Sequence, residues 1–251
     1  MKKTQDKPAA FISTHLKSVE QQLADFKADG DPEHLHLLRV AIKKVKAILD
    51  ILEVNYDVNY DTKRLQKLFN KAGKIRELQL NVLLLKKHHC QPESLIEELE
   101  FDQYSLQEKL VKGIPGYSKG VKKFRKETDF SFPLPAFNKI EKYLAKKKRK
   151  ADRNFDAHTR SGMHSFRMKI KNLLFVYSML PNKIKNKLDL PVDLLHDLQN
   201  EVGAWHDTWA AIQFLQQKKI DMQLSCMEML YQLEANQFGV LMSKYQEMRL
   251  N

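Results

Sequence analysis

Residues 35–52 read LHLLRVAIKKVKAILDIL. Leu35, Leu38, Ile42, Val45, Leu49 and Leu52 recur at alternating spacings of three and four, which on a 3.6-residue helix makes one apolar seam. Beside that seam run His36, Arg39 and Lys43, whose offsets of 0, 3 and 7 place them in one narrow sector of the helix surface. Lys44 follows, and Lys46 prolongs the stripe. The layout returns later in the chain. Residues 163–180 read MHSFRMKIKNLLFVYSML, with Met163, Phe166, Ile170 and Leu173 as the seam and His164, Arg167 and Lys171 on its flank. Leu174 stands where Lys46 would.

A second block repeats as well. Leu65, Leu68, Asn70 and Gly73 match Leu195, Leu198, Asn200 and Gly203 at the same offsets, and Glu77 matches Asp207 as an acid four residues past the glycine. Two blocks that agree in order and nearly in separation point to an internal duplication. Around them, apolar residues recur at helical spacing almost throughout, with no sustained alternation of the kind a strand requires. The expected fold is all-α.

Phe11, Ile12, Leu16, Val19, Leu23 and Phe26 mark a first helix that ends near Asp29-Gly30-Asp31-Pro32. The third runs from about Thr62 to Lys87, and a fourth starts after Gln91-Pro92 and fades at Gly113 to Gly116. Further helices are expected near 135–156, 159–180, 191–217 and 222–249, separated by Ser161-Gly162, Pro181-Asn182 and Lys218-Lys219. Within one domain of residues 1–251, this divides the chain into a four-helix half (9–112), a linker (113–134) and a second four-helix half (135–251).

The chain has 251 residues, with 43 Lys or Arg against 31 Asp or Glu, a formal net charge of +12. Residues 189–251 hold four basic and nine acidic side chains, so residues 1–188 carry +17. Positive charge gathered in one region points to a polyanionic partner. Lys63, Arg64, Lys67, Lys71, Lys74 and Arg76 occur without an intervening acid. Lys147 and Arg153 belong to a basic run that leads into the second histidine helix. The two cysteines, Cys90 and Cys226, cannot build a disulfide framework, and their rarity suits a reducing cytoplasm. No export signal is read after Met1-Lys2-Lys3, and no apolar run is long enough to span a bilayer.

Arg and Lys beside a seam often only cover apolar surface with their stems. A solvated flank, however, has no reason to keep His, Arg and Lys in one order twice. Gly73 and Gly203 would each cost a helix about 1 kcal/mol relative to Ala. Close approach of two backbones, or a plain helix end, accounts for such a residue. Glu77 and Asp207 read as structural partners of the basic stripes, since an acid between like charges lowers their repulsion.

The quoted motifs, His36-x-x-Arg39-x-x-x-Lys43-Lys44-x-Lys46 with Gly73-x-x-Arg76-Glu77, and His164-x-x-Arg167-x-x-x-Lys171 with Gly203-x-x-His206-Asp207, resemble those of the CHAD domain, the conserved histidine α-helical domain. The resemblance covers about residues 9–249. It implies two four-helix bundles related by a pseudo-twofold axis, with a basic surface or groove between them that binds inorganic polyphosphate. It also implies a cytoplasmic scaffold or granule-targeting role for the protein. The residues on those motifs expected to meet the polyanion are His36, Arg39, Lys43, Lys44, Lys46, Arg76, His164, Arg167, Lys171 and His206, and the basic run adds Lys147 and Arg153. Some relatives are fused to a triphosphate-hydrolysing domain, whose Glu-x-Glu-x-Lys signature is absent here. Basic positions that are rich in Arg in the family are mostly Lys in this chain, which favours diffuse attraction over bidentate clamping.

A linear polyanion asks only for cations repeated along its length. Histidine protonation predicts tighter binding as pH falls toward about 6, and counterion release predicts a steep loss with salt. Nucleic acid or an acidic protein is the alternative partner, although no helix-turn-helix, RNP or zinc-finger signature occurs, and Trp205 and Trp209 read as core. Neither a cofactor nor an enzymatic activity is expected. His34-x-His36, His88-His89-Cys90 and the pair His196 and His206 lack closed metal-ligand spacing, and there is no P-loop or nucleophile elbow.

Overall fold

A computed structural model describes residues 7–88, 93–156, 158–217 and 224–250, excluding the side chains of 224, 225 and 248–250. Among the described residues the chain is all-α, with helices α1 (Lys7–Asp29), α2 (Pro32–Tyr56), α3 (Lys63–Lys87), α4 (Glu93–Glu127), α5 (Phe137–Asp156), α6 (Arg160–Met179), α7 (Asn182–Lys185), α8 (Val192–Gln217) and α9 (Leu224–Leu250). No helix among them is long and apolar enough to cross a membrane.

The first two helices form where the apolar spacing places them. Ile12, Leu16, Val19, Leu23 and Phe26 of α1 are at most 1% exposed and pack along α2, whose whole seam from Leu35 to Leu52 is buried. Their junction is set by local chemistry. Gly30 takes a left-handed conformation (φ 73°), Asp31 caps α2 by accepting from the Glu33 amide at 2.8 Å, and Pro32 opens the helix where no donor is needed. Asp57, also left-handed, closes α2 through its N–H to the Glu53 carbonyl.

Two expectations about punctuation do not hold. Gly113 to Gly116 do not end α4, which continues to Glu127 with Pro115 inside it. The reason is tertiary. Leu110, Ile114, Val121 and Phe124 bury one face of the helix, while Pro115 and Gly116 are exposed, so the carbonyl that Pro115 leaves unpaired can turn to water. The non-helical connection is therefore 128–136, not 113–134. Likewise Ser161-Gly162 lie in the first turn of α6, where Thr159 Oγ1 accepts from the Gly162 amide at 3.0 Å. The short α7 has no apolar period and was not legible. Gln91-Pro92 and Lys218-Lys219 lie outside the described residues.

The helices gather into two compact units. One holds the chain up to Gln79 together with Phe101–Lys146 and Phe175–Asp189; the other holds Leu80–Glu100, Lys147–Leu174 and the chain from Leu190 on. Each unit thus draws on both halves of the sequence. In the first, Tyr143 of α5 donates a short hydrogen bond to Asp50 of α2. In the second, α8 packs along α9, and Trp205 is fully buried. Glu234, only 2% exposed, accepts from Trp205 Nε1 at 2.6 Å and from Arg160 at 2.9 and 2.7 Å. Phe155 stacks on Tyr245 at 3.7 Å, and Tyr245 donates to Asp152 at 2.9 Å. Cys226 is buried and disulfide-bonded, which removes the ground for expecting a reducing compartment; Cys90 lies outside the described residues.

Candidate functional site

In the first unit, α2 presents its basic stripe to α3. His36, Arg39, Lys43, Lys44 and Lys46 are all half-buried. Arg39 Nη1 donates to the Phe69 carbonyl at 2.6 Å, and its guanidinium lies 3.9 Å from the centre of the Phe69 ring. Gly73 explains how an arginine reaches a carbonyl inside a helix. The residue four positions on is the one whose Cβ crowds a helical carbonyl from outside, and here that Cβ is missing. The guanidinium fills the place: a Cβ on residue 73 would stand 2.2 Å from Nη1. Gly73 therefore admits a side chain, not a second backbone.

Other members of the set gather nearby. Lys43 Nζ lies 5.6 Å from the same Phe69 ring, and Lys46 donates to Gln66 at 2.5 Å. Arg76 donates to Gln79 at 2.6 Å and lies 3.9 Å from Glu33. Burial holds the Arg39 guanidinium below the usual arginine range, opposed by the Glu77 carboxylate and reinforced by Arg76. Lys44 faces elsewhere, toward His15 of α1. His15 packs edge-on to Phe11 at 4.3 Å, and burial together with the Lys44 charge pushes its pKa down to about 4.

The second unit repeats the arrangement with different chemistry. Arg167 of α6 lies over Gly203 of α8 at 3.7 Å from where a Cβ would be, an ordinary contact. Its Nε is buried without a hydrogen-bond partner, and burial lowers its pKa against the pull of Asp207. Lys171 is pushed down to about 8 by burial and by Arg167, again opposed by Asp207. His164 and His206 stack at 4.7 Å, with Trp209 at 6.4 and 5.8 Å from them. His206 Nδ1 lies 3.6 Å from the Asp207 carboxylate.

Thus His164, Arg167, Lys171, Gly203, His206 and Asp207 come together, as do Arg39, Lys43, Gly73, Arg76 and Glu77. Lys147 adds its charge to that of Lys150 against Lys169, two positions from Arg167 and so on the other flank of α6, and Arg153 is exposed. Sequence reasoning missed Phe69, Gln66 and His15. Phe69 stands one turn before Gly73, which is the signal that could have found it. Trp205 is core as expected, whereas Trp209 is half-buried against the histidines. Among the described residues, no group of three or more His, Cys, Asp or Glu converges to hold a metal; His89 and Cys90 lie outside them.

The family model of the CHAD domain matches residues 10–216, and the chain belongs to that family. It is similar in structure to the CHAD domain from the plant Ricinus communis, a crystal structure, with a TM-score of 0.62 over 98% of this chain and 87% of that one. Sequence identity is 13%, so this likeness concerns the fold alone. No curated protein matches the chain.

Proposed function

We propose that the protein is a non-catalytic module that binds inorganic polyphosphate, through His36, Arg39, Lys43, Lys46 and Arg76 in one unit and His164, Arg167, Lys171 and His206 in the other. Helices α1–α4 and the set α5, α6, α8 and α9 are then two copies of one ancestral four-helix element, related by a pseudo-twofold axis. The recurrence of an arginine lying over a glycine of the following long helix supports that descent. Lys44, Lys147 and Arg153 extend the attraction at longer range.

The observation that carries the reading is the pair Arg167 and Lys171. Two adjacent cations are half-buried, Arg167 Nε has no partner, and neither side chain makes an ion pair among the described residues. Cations kept out of water without a bonded carboxylate are stabilised by an anion that arrives from outside. Arg39 differs, being held already by Phe69, so it acts as a pre-positioned fork. Among the described residues of the site no nucleophile is paired with a base, and binding without turnover fits a scaffold or granule-targeting role.

Titration with long-chain polyphosphate at several salt concentrations tests this, with wild type beside two triple alanine variants at His36, Arg39 and Lys43 and at His164, Arg167 and Lys171. Each triple variant is expected to bind at least about tenfold more weakly, with a shallower salt slope. Equal affinity in all three proteins would sink the reading. Displacement by short duplex nucleic acid at equal phosphate concentration would transfer the site to the alternative partner. Phosphate release by the pure protein would overturn the non-catalytic assignment.

A further inference from the structure

Within the first unit, the loop from α2 to α3 and the segment after α4 enclose an open cleft of about 500 Å3. Its chemistry is opposite to that of the stripes. Tyr60 stands on the inner wall, 9% exposed, and its hydroxyl has no hydrogen-bond partner. Buried hydroxyls are nearly always satisfied, so an orphan needs an explanation. The wall includes Phe124 and Phe132, and Tyr60 itself packs on Phe130 at 6.1 Å.

Carboxylates line the same cleft. Asp61 Oδ1 accepts from the Lys63 amide at 3.0 Å, and Asp129 Oδ1 accepts from the Ser131 amide at 2.9 Å and the Ser131 hydroxyl at 2.5 Å. In both cases Oδ2 accepts no bond among the described residues. Glu127 is paired with Arg64 at 3.6 Å and with Lys123 at 3.5 Å, so the negative charge that lines the cleft comes from the two aspartates. Burial, Asp129 and Glu53 together push the Tyr60 hydroxyl up, so it stays protonated and offers its lone pairs.

We propose that this cleft receives a slim alkylammonium group, from a free polyamine or from a lysine side chain. An ammonium brings three donors and no acceptor, which suits a cleft lined by carboxylates and the Tyr60 lone pairs. Its alkyl stem suits the aromatic wall, and its charge is attracted by both ring faces and carboxylates. The depth of the hydroxyl selects against bulk. A quaternary ammonium carries no N–H and cannot satisfy it.

Calorimetric titration of the full chain, without polyphosphate, uses spermidine, N-acetyl-lysinamide and tetramethylammonium on wild type, Tyr60→Phe and the double variant Asp61→Asn/Asp129→Asn. Asparagine keeps the turn and cap bonds while removing the charge. Spermidine or the lysine amide is expected to bind wild type at one site, about fivefold more weakly in Tyr60→Phe and about tenfold more weakly in the double variant. Tetramethylammonium should not bind. Whichever amine binds names the source. Without ligand, Tyr60→Phe should melt at or above the wild-type temperature, because it deletes only an unpartnered hydroxyl. No amine binding, equal binding by all three proteins, or a clearly lowered melting temperature in Tyr60→Phe would each overturn the proposal. Because polyphosphate is absent, these outcomes stand apart from the reading of the basic stripes.

Discussion

Arg39 and Gly73 occupy one another's space: the guanidinium lies where any larger residue at position 73 would put its Cβ. Gly73→Ala must therefore expel a side chain that is bonded to the Phe69 carbonyl. Losing that charged hydrogen bond costs about 1.5–3 kcal/mol, more than the ~1 kcal/mol that alanine restores to the helix. At Gly203 the nearest arginine atom is 3.7 Å away, and no expulsion is needed. Urea denaturation should thus find Gly73→Ala less stable than wild type and Gly203→Ala more stable, by up to ~1 kcal/mol.

Lys171 reports its burial through pH. Its folded pKa of about 8 lies below the ordinary lysine value, so between about pH 8 and 10.5 the unfolded chain binds the extra proton. Stability from this group is lowest below pH 8 and recovers as pH rises through that window. Lys171→Met should be about 1–2 kcal/mol more stable than wild type at pH 7, a figure reduced for partial solvent screening. The advantage should shrink toward pH 10 in matched denaturation series.

His15 carries the same kind of liability in the acid range. It is kept neutral by burial and by Lys44, with a folded pKa of about 4 against an ordinary 6.5. Its contribution is intact above about pH 6.5 and is lost as pH falls toward 4. Because the ring is half-exposed, the loss should be ~1 kcal/mol. His15→Gln should remove that part of the acid slope, read by thermal melts between pH 4 and 7.

Glu234 ties three elements of the second unit. Glu234→Ala leaves the Trp205 indole N–H buried without an acceptor, whereas Arg160, half in water, can rehydrate. A loss of about 3 kcal/mol follows, with a smaller one for Glu234→Gln, which keeps an acceptor for the indole. Tryptophan fluorescence during denaturation would show both the stability change and the altered environment of Trp205.

The seams, the order of the long helices and the α1–α2 junction are legible, because each depends on short-range spacing or on a single cap. Leu35 to Leu52 and Met163 to Leu173 are buried as their periodicity required. What local pattern cannot express is the competition between a breaker and a packed face, and that is why Pro115 misplaced the connection. The same limit applied to the sites. The stripes were visible as offsets on one helix, but the Phe69 carbonyl under Arg39 depends on which neighbouring helix lies where. The helical cost of Gly73 is visible in the sequence, but that its space is filled by the Arg39 side chain and not by a second backbone is not.

The unbroken course of α4 has a consequence for anyone who would dissect this protein. Glycine and proline at 113–116 invite a cut there, yet a fragment ending at residue 112 would stop in mid-helix. Its last carbonyls would lose their donors, and the bed occupied by Ile114, Val121 and Phe124 would stand open to water. A cut at that point would divide a packed helix, not a linker.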